Sequence, residues 1–310
     1  MEVEKRLTTL IEQSLELETI ELDLFRSKSL WKPTGARGVF GGQIIAQSLA
    51  AATKTVESNY KIHSLHSYFL LAGDSTTPIV YKVYKIRDGK SFCTRSVSAK
   101  QKGKTIFIMS CSFQTDENSV LEHQNVMPDV PPPENVKTDK EIFKQWLDNS
   151  EEHKIPKTYQ DYLQIRIQEI LPIEFKPIKE SVPRDLIKPS KSNPKQYVWL
   201  RAQGRLPDDL AFHHCVAAYA SDHFLLGTAQ LPHVRLSMMA TLDHMIWFHK
   251  PFRADEWLLF EMESTRSNSG RGLTFGRMFT RDGTLVLSCA QEGVMRAKTM
   301  TRKNKTESKL

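Results

Sequence analysis

One order of elements occurs twice in this chain, and that repeat constrains the fold more than any other feature. A helix-like stretch, Gly42-Gln43-Ile44-Ile45-Ala46-Gln47-Ser48-Leu49-Ala50-Ala51-Ala52, precedes four strand-like stretches. These are Leu65 to Leu71, Ile79 to Ile86, Phe92 to Gln101 and Thr105 to Gln114. A second helix-like stretch, Leu210 to Leu226, precedes Ala240 to His249, Trp257 to Ser264, Leu273 to Thr280 and Thr284 to Gln291. A shift close to 177 residues superposes the halves, pairing Leu65 with Leu242, Val80 with Trp257 and Gln114 with Gln291. The same elements in the same order twice are the mark of an internal duplication. Ile44, Ile45, Leu49 and Ala52 recur at helical spacing, and the alanines and serine between them permit close approach. The pattern predicts an α+β fold in which each half wraps a curved antiparallel sheet around one buried helix. The two sheets are expected to join into one longer sheet.

Ten of the fifteen prolines lie between Pro128 and Pro194, in a stretch that also carries charged runs such as Glu151-Glu152-His153-Lys154. That composition predicts a connector with short helices. The expected division is an N-terminal unit over 1–120, the connector over 121–194, a C-terminal unit over 195–297 and a basic tail over 298–310.

The net charge of +7 comes mostly from that tail, where Lys298, Arg302, Lys303, Lys305 and Lys309 face only Glu307. A nucleic-acid binder carries its basic patch on the folded domain, so the charge does not point to nucleic acid as a partner. Cys93, Cys111, Cys215 and Cys289 form no C-x-x-C pair and no close cluster with histidine, and read as buried thiols in a reducing compartment. No apolar run is long enough to span a membrane, and the opening residues do not read as a secretory signal. G-x-S-x-G, G-x-x-x-x-G-K-[ST], the dinucleotide fingerprint and H-E-x-x-H are all absent, against a serine hydrolase, an NTPase, a dinucleotide enzyme and a zinc peptidase. Asp208 and Asp209 each precede a histidine by five residues, His213 and His214. This reads either as a hydratase-type Asp/His dyad or as helix-start acids beside unrelated histidines.

Four longer motifs, Gly38-Val39-Phe40-Gly41-Gly42-Gln43-Ile44-Ile45-Ala46-Gln47, His63-Ser64-Leu65-His66-Ser67-Tyr68-Phe69, Leu242-Asp243-His244-Met245-Ile246-Trp247-Phe248-His249 and Cys289-Ala290-Gln291-Glu292-Gly293-Val294-Met295-Arg296, occur in the order that resembles the acyl-CoA thioesterase II family. The resemblance runs from about Leu22 to the last residue and is strongest in the second half. It implies a double hotdog: two hotdog units in one chain with their sheets joined edge to edge. It implies hydrolysis of acyl-CoA thioesters to fatty acid and coenzyme A, with no cofactor and no metal.

The resemblance places the family's catalytic positions on Asp222, Thr241 and Gln291. A thioester releases a thiolate, so the reaction needs an aimed water and a polarised carbonyl more than a strong general acid. An aspartate can take the water's proton, while a threonine hydroxyl and a glutamine amide can each donate and accept to hold the water. A backbone N–H at the Gly41-Gly42 start of the first-half helix, with Gln43 beside it, is the candidate oxyanion donor, since a helix start offers donors and glycine allows close approach. His66 is the rival base or substrate contact, with a buried structural role as its alternative. Arg37, Arg271 and Arg277 are candidates to meet the coenzyme A phosphates. Two rival functions keep the same fold: a hotdog-type acyl-CoA hydratase and a catalytically silent acyl-CoA-binding protein. The terminal Ser308-Lys309-Leu310 has the form of an address read by the peroxisomal import receptor, which implies location in the peroxisome matrix. A homo-oligomer is the expected assembly, because hotdog sheets often pair.

Overall fold

The computed structural model describes residues 10–179, 193–233 and 236–297. After a helical segment over residues 10–15 (α1), the first half holds β1 (Leu17–Glu21), β2 (Leu24–Ser27), α2 (Gly41–Thr53), β3 (Tyr60–Phe69), β4 (Val80–Asp88), β5 (Phe92–Gln101) and β6 (Lys104–Thr115). A bridging stretch carries α3 (Asp139–Asp148) and α4 (Lys157–Gln168). The second half holds β7 (Ile173–Pro177), β8 (Lys195–Ala202), α5 (Leu210–Ser221), α6 (Leu225–Gln230), β9 (Leu236–Phe248), β10 (Leu258–Asn268), β11 (Arg271–Thr280) and β12 (Leu285–Ala297).

All twelve strands form one antiparallel sheet in the order β1-β2-β4-β5-β6-β3-β9-β12-β11-β10-β8-β7. The order reads the same from either end once β3 is matched with β9, β6 with β12 and β2 with β8. The halves meet where β3 pairs with β9, from Ser64 opposite Trp247 to Tyr68 opposite Asp243. Ser67 and His244 face each other there, 177 residues apart, the same separation as the sequence repeat. The five pairs, and the bulges at His63 and Leu242 beside them, are symmetric about His66 and Met245, which sets the pseudo-two-fold axis there; Ser67 Oγ donates to the His244 carbonyl next to it at 2.7 Å. The expected double hotdog is present.

Helices α2 and α5 lie together on one face of the sheet, antiparallel to each other. An ideal Cβ on Gly42 would collide with the Tyr219 carbonyl of α5, so glycine is what lets the start of α2 touch the end of α5. The polar side chains of α2 are buried with partners. Gln43 donates to the carbonyls of Ser14 and Ser29 and accepts from Trp31 N–H, and Gln47 accepts from the Tyr81 hydroxyl at 2.6 Å. These bonds tie the N-terminal segment across the helix and satisfy groups that would be costly to bury bare.

Several elements depart from the sequence expectation: β1, β2 and β8 have no counterpart in it, and the helix expected over Leu210 to Leu226 ends at Ser221, with α6 following. Strand β7 falls inside the proline-rich stretch and pairs with β8 at the sheet edge. Residues Met127, Val130 and Val136 of the same stretch cover a small apolar cluster of Trp199, Trp257, Leu259, Phe279 and Leu285 on the sheet face away from the helices. The Trp199 indole donates to the Pro131 carbonyl at 2.9 Å. Proline suits such a backbone: it runs extended over a sheet face and needs no ladder donor.

Candidate active site

The site forms where the start of α2 meets the end of α5 above β9 and β12. Asp222 is the C-cap of α5, where the helix's own carbonyl end disfavours a carboxylate. The antiparallel α2 offsets this by presenting its N-terminus: Gly42 N–H donates to Asp222 Oδ2 at 2.8 Å. Gln291, fully buried on β12, donates from Nε2 to Asp222 Oδ1 at 2.7 Å. The same nitrogen donates to Thr241 Oγ1, also at 2.7 Å. Burial pushes the Asp222 carboxyl above the usual carboxylate range, and the Gln291 and Gly42 hydrogen bonds pull partly back.

A β-bulge brings Thr241 to this face. Gln291 pairs with His244, Glu292 with Asp243, and then Gly293 with Thr241, so Leu242 is an extra residue on β9. In a regular strand Thr241 would share the outer face with Asp243; the extra residue turns it to the side of Gln291. Its hydroxyl accepts from Gln291 and keeps its own proton to give. Gly41 lines the open side, where a Cβ would stand 2.8 Å from Asp222 Oδ2 and 3.1 Å from Phe69 Cζ. The result is a carboxylate and a hydroxyl held by one amide, beside a space that only glycine leaves open.

Asp222, Thr241 and Gln291 thus converge, whereas most of the other sequence candidates are placed elsewhere. Gly42 N–H is engaged by Asp222 rather than free for an oxyanion. Gln43 is occupied in the core as described. His66 lies on the outer face of β3, edge-on to Trp247 at 5.4 Å, because strand alternation sends its neighbours Leu65 and Ser67 inward instead. Arg271 and Arg277 also stand on the outer face, bonded to Glu292 at 3.0 Å and Glu261 at 2.8 Å. Arg37 is exposed and reaches Met238 Sδ, on the strand that carries Thr241.

The Asp/His dyad does not form. Asp208 is paired with Arg253, Asp209 caps α5 through Ala211 N–H at 3.0 Å, and His213 Nδ1 accepts from Ala254 N–H. Residues not singled out from sequence also shape the site: the neighbours Ser221 and His244, joined at 2.9 Å between Ser221 Oγ and His244 Nε2. The available signal was His244 itself, a polar residue in step with buried Ile246 and Phe248 on an alternating strand.

The duplication supplies one such site. At the pseudo-symmetric position the C-cap of α2 is Lys54, and the inward residue of β6 in the register place of Gln291 is Cys111. Gln114, which the ungapped repeat sets against Gln291, falls one step out of phase and therefore on the other face. That end of the helix pair borders a cavity of about 410 Å³ lined by residues including Thr53, Lys54, Asp209 and Phe212.

Residues 175–294 match the family model for acyl-CoA thioesterase, and residues 28–114 match that for the acyl-CoA thioesterase N-terminal domain. The chain is 44% identical to mouse acyl-coenzyme A thioesterase 8 over 302 residues, covering 96% of this chain and 92% of that protein. It belongs to the acyl-CoA thioesterase family. Membership makes the chain a thioester hydrolase. A second thioesterase relative, peroxisomal acyl-coenzyme A thioester hydrolase 1 of Saccharomyces cerevisiae, is 27% identical, with 94% of this chain and 96% of that one covered. Among solved thioesterase structures, acyl-CoA thioesterase II TesB2 from Mycobacterium marinum superposes with a TM-score of 0.71 at 38% identity, over 94% of this chain and 98% of that one.

Proposed function

We propose that this thioesterase hydrolyses fatty acyl-CoA by direct attack of water held between Asp222 and Thr241, with no acyl-enzyme. The observation that carries the reading is the double donation of Gln291 Nε2 to Asp222 Oδ1 and Thr241 Oγ1. A water that donates to the carboxylate and accepts the Thr241 proton has its lone pair aimed into the space beside Gly41. The water oxygen bonds to the thioester carbon as its proton passes to Asp222. The carbon–sulfur bond then breaks, and the proton leaves with coenzyme A as its thiol. Gly42 N–H stays on Asp222, so the oxyanion falls to Gly41 N–H at the same helix start, where the missing side chain lets the carbonyl approach. Arg37 is the arginine retained for a coenzyme A phosphate, since Arg271 and Arg277 are paired on the opposite face.

The reaction is assigned to the peroxisome matrix and to lipid breakdown. The tripeptide Ser308-Lys309-Leu310, which lies outside the described residues, and the name of the yeast relative support this. Exposed Tyr68 and Ile108, register partners on the outer face, support a homo-oligomer in which a second copy covers them.

Thiol release from a panel of acyl-CoAs, followed with a thiol-reactive dye, tests the chemistry. The parent is expected to release coenzyme A, and Asp222→Asn to lose at least about a hundredfold in kcat. Equal rates for the two proteins would remove Asp222 as the base. Loss of the last three residues from an N-terminally tagged chain should move it from peroxisomes to the cytosol.

A further inference from the structure

His244 on β9, Gln291 on β12 and Thr274 on β11 stand side by side in one row across three strands, as register partners. All three face the helices and are fully buried. Each also holds a buried polar atom without a hydrogen-bond partner among the described residues: His244 Nδ1, Gln291 Oε1 and Thr274 Oγ1. Buried polar atoms almost always find partners, so three orphans in one row point to a shared role.

The proton inventory defines what the row needs. Ser221 has one hydroxyl proton, and gives it to the Ala218 carbonyl at 2.9 Å. Its contact with His244 must therefore take a proton from Nε2, which leaves His244 Nδ1 as a bare acceptor. Gln291 spends its amide protons on Asp222 and Thr241, which leaves Oε1 as a second bare acceptor. Two acceptors cannot bond each other. The Thr274 hydroxyl has one proton to give, and water has two.

We propose that His244 and Thr274, with water taken up between them, are positioning residues that hold the Gln291 amide with Nε2 towards Asp222 and Thr241. The competing state is the amide flipped by half a turn. It would set Oε1 against the Asp222 carboxylate and turn the donors to His244 Nδ1. Donors in the row oppose that flip by bonding Oε1. His244 acts a second time through Ser221, the last residue of α5, which it fixes next to Asp222.

The inference rests on the role given to Gln291 above, and its test separates the two. Thr274→Val keeps the shape and removes only the hydroxyl. Steady-state kinetics should show kcat reduced about tenfold with KM within about twofold, and Thr274→Ser should restore the rate. The melting temperature of Thr274→Val should fall modestly, because the row loses a buried donor, whereas an apolar group of equal size would be harmless where a hydroxyl merely sat in the core. In a Gln291→Ala background, with residual turnover read at high enzyme concentration, Thr274→Val should have no further effect. An unchanged kcat in Thr274→Val, a failure of serine to rescue, or the same loss in both backgrounds overturns the proposal. If Gln291→Ala alone keeps the parent rate, the site reading fails instead, and the role of the row fails with it.

Discussion

Asp222 carries two opposed demands. As the proposed base it must be ionised, yet it sits where burial favours its neutral form. A folded-state pKa above the unfolded one means that the folded chain holds this proton more tightly. The stability contributed by Asp222 is fully present below its unfolded pKa and is lost as pH rises through the raised folded pKa. Asp222→Asn removes that loss. The variant should melt higher than the parent at neutral pH, with the gap closing as pH falls below the carboxylate range. Catalysis follows the opposite sign: kcat/KM should rise with pH along a limb set above the ordinary carboxylate range, and Asp222→Asn should abolish it. Thermal melts and pH–rate profiles of the two proteins check both signs. A variant both inactive and more stable would mark Asp222 as a residue kept for chemistry at a cost to the fold. Beside it, Gly41→Ala should place a methyl group against Asp222 Oδ2 and Phe69, cutting kcat by at least about tenfold while the far-ultraviolet spectrum stays unchanged.

Single elements decide which side chains can meet, and here sequence and structure part in a regular way. The buried helix α2 and the paired strands were legible because periodicity reports burial directly. Gly42 and Asp222 were each legible as candidates, but their contact was not, because it depends on two helices crossing end to end. Gln114 and His66 show the limit on strands: a one-residue error in phase sends a side chain to the opposite face. Thr241 shows it more sharply, since simple alternation from His244 puts it outside and only the extra Leu242 brings it in. Thr241→Val keeps the bulge and removes only the hydroxyl that Gln291 holds. Thiol release should then fall at least about a hundredfold, while the circular dichroism spectrum and a cooperative melt report a retained sheet. If the valine variant folds and keeps its rate, Thr241 does not hold the water.

At the scale of the whole molecule, the duplication has left a division of labour. The second half carries Asp222, Thr241 and Gln291, and the pseudo-symmetric position in the first half carries Lys54 and Cys111. The first half is nevertheless part of the machinery. It brings the α2 N-terminus to the carboxylate through Gly42, and its β3 covers the edge of β9 through five register pairs ending at Tyr68 and Asp243. Without it, β9 would be a bare edge strand and Asp222 would face only the unfavourable end of its own helix. A fragment of residues 121–310 therefore contains every side chain proposed to touch the water and should still be inactive and prone to aggregate. Adding residues 1–120 as a separate chain should restore thiol release, because the halves meet through a continuous hydrogen-bonded ladder and packed helices rather than through the covalent connector. Rescue by a first-half fragment carrying Gly42→Ala should fail, since the added methyl group collides with the Tyr219 carbonyl and keeps α2 from its place beside Asp222. Activity of the second-half fragment alone would mean that the donor at the α2 start is dispensable, and that the first half does no more than cover an edge.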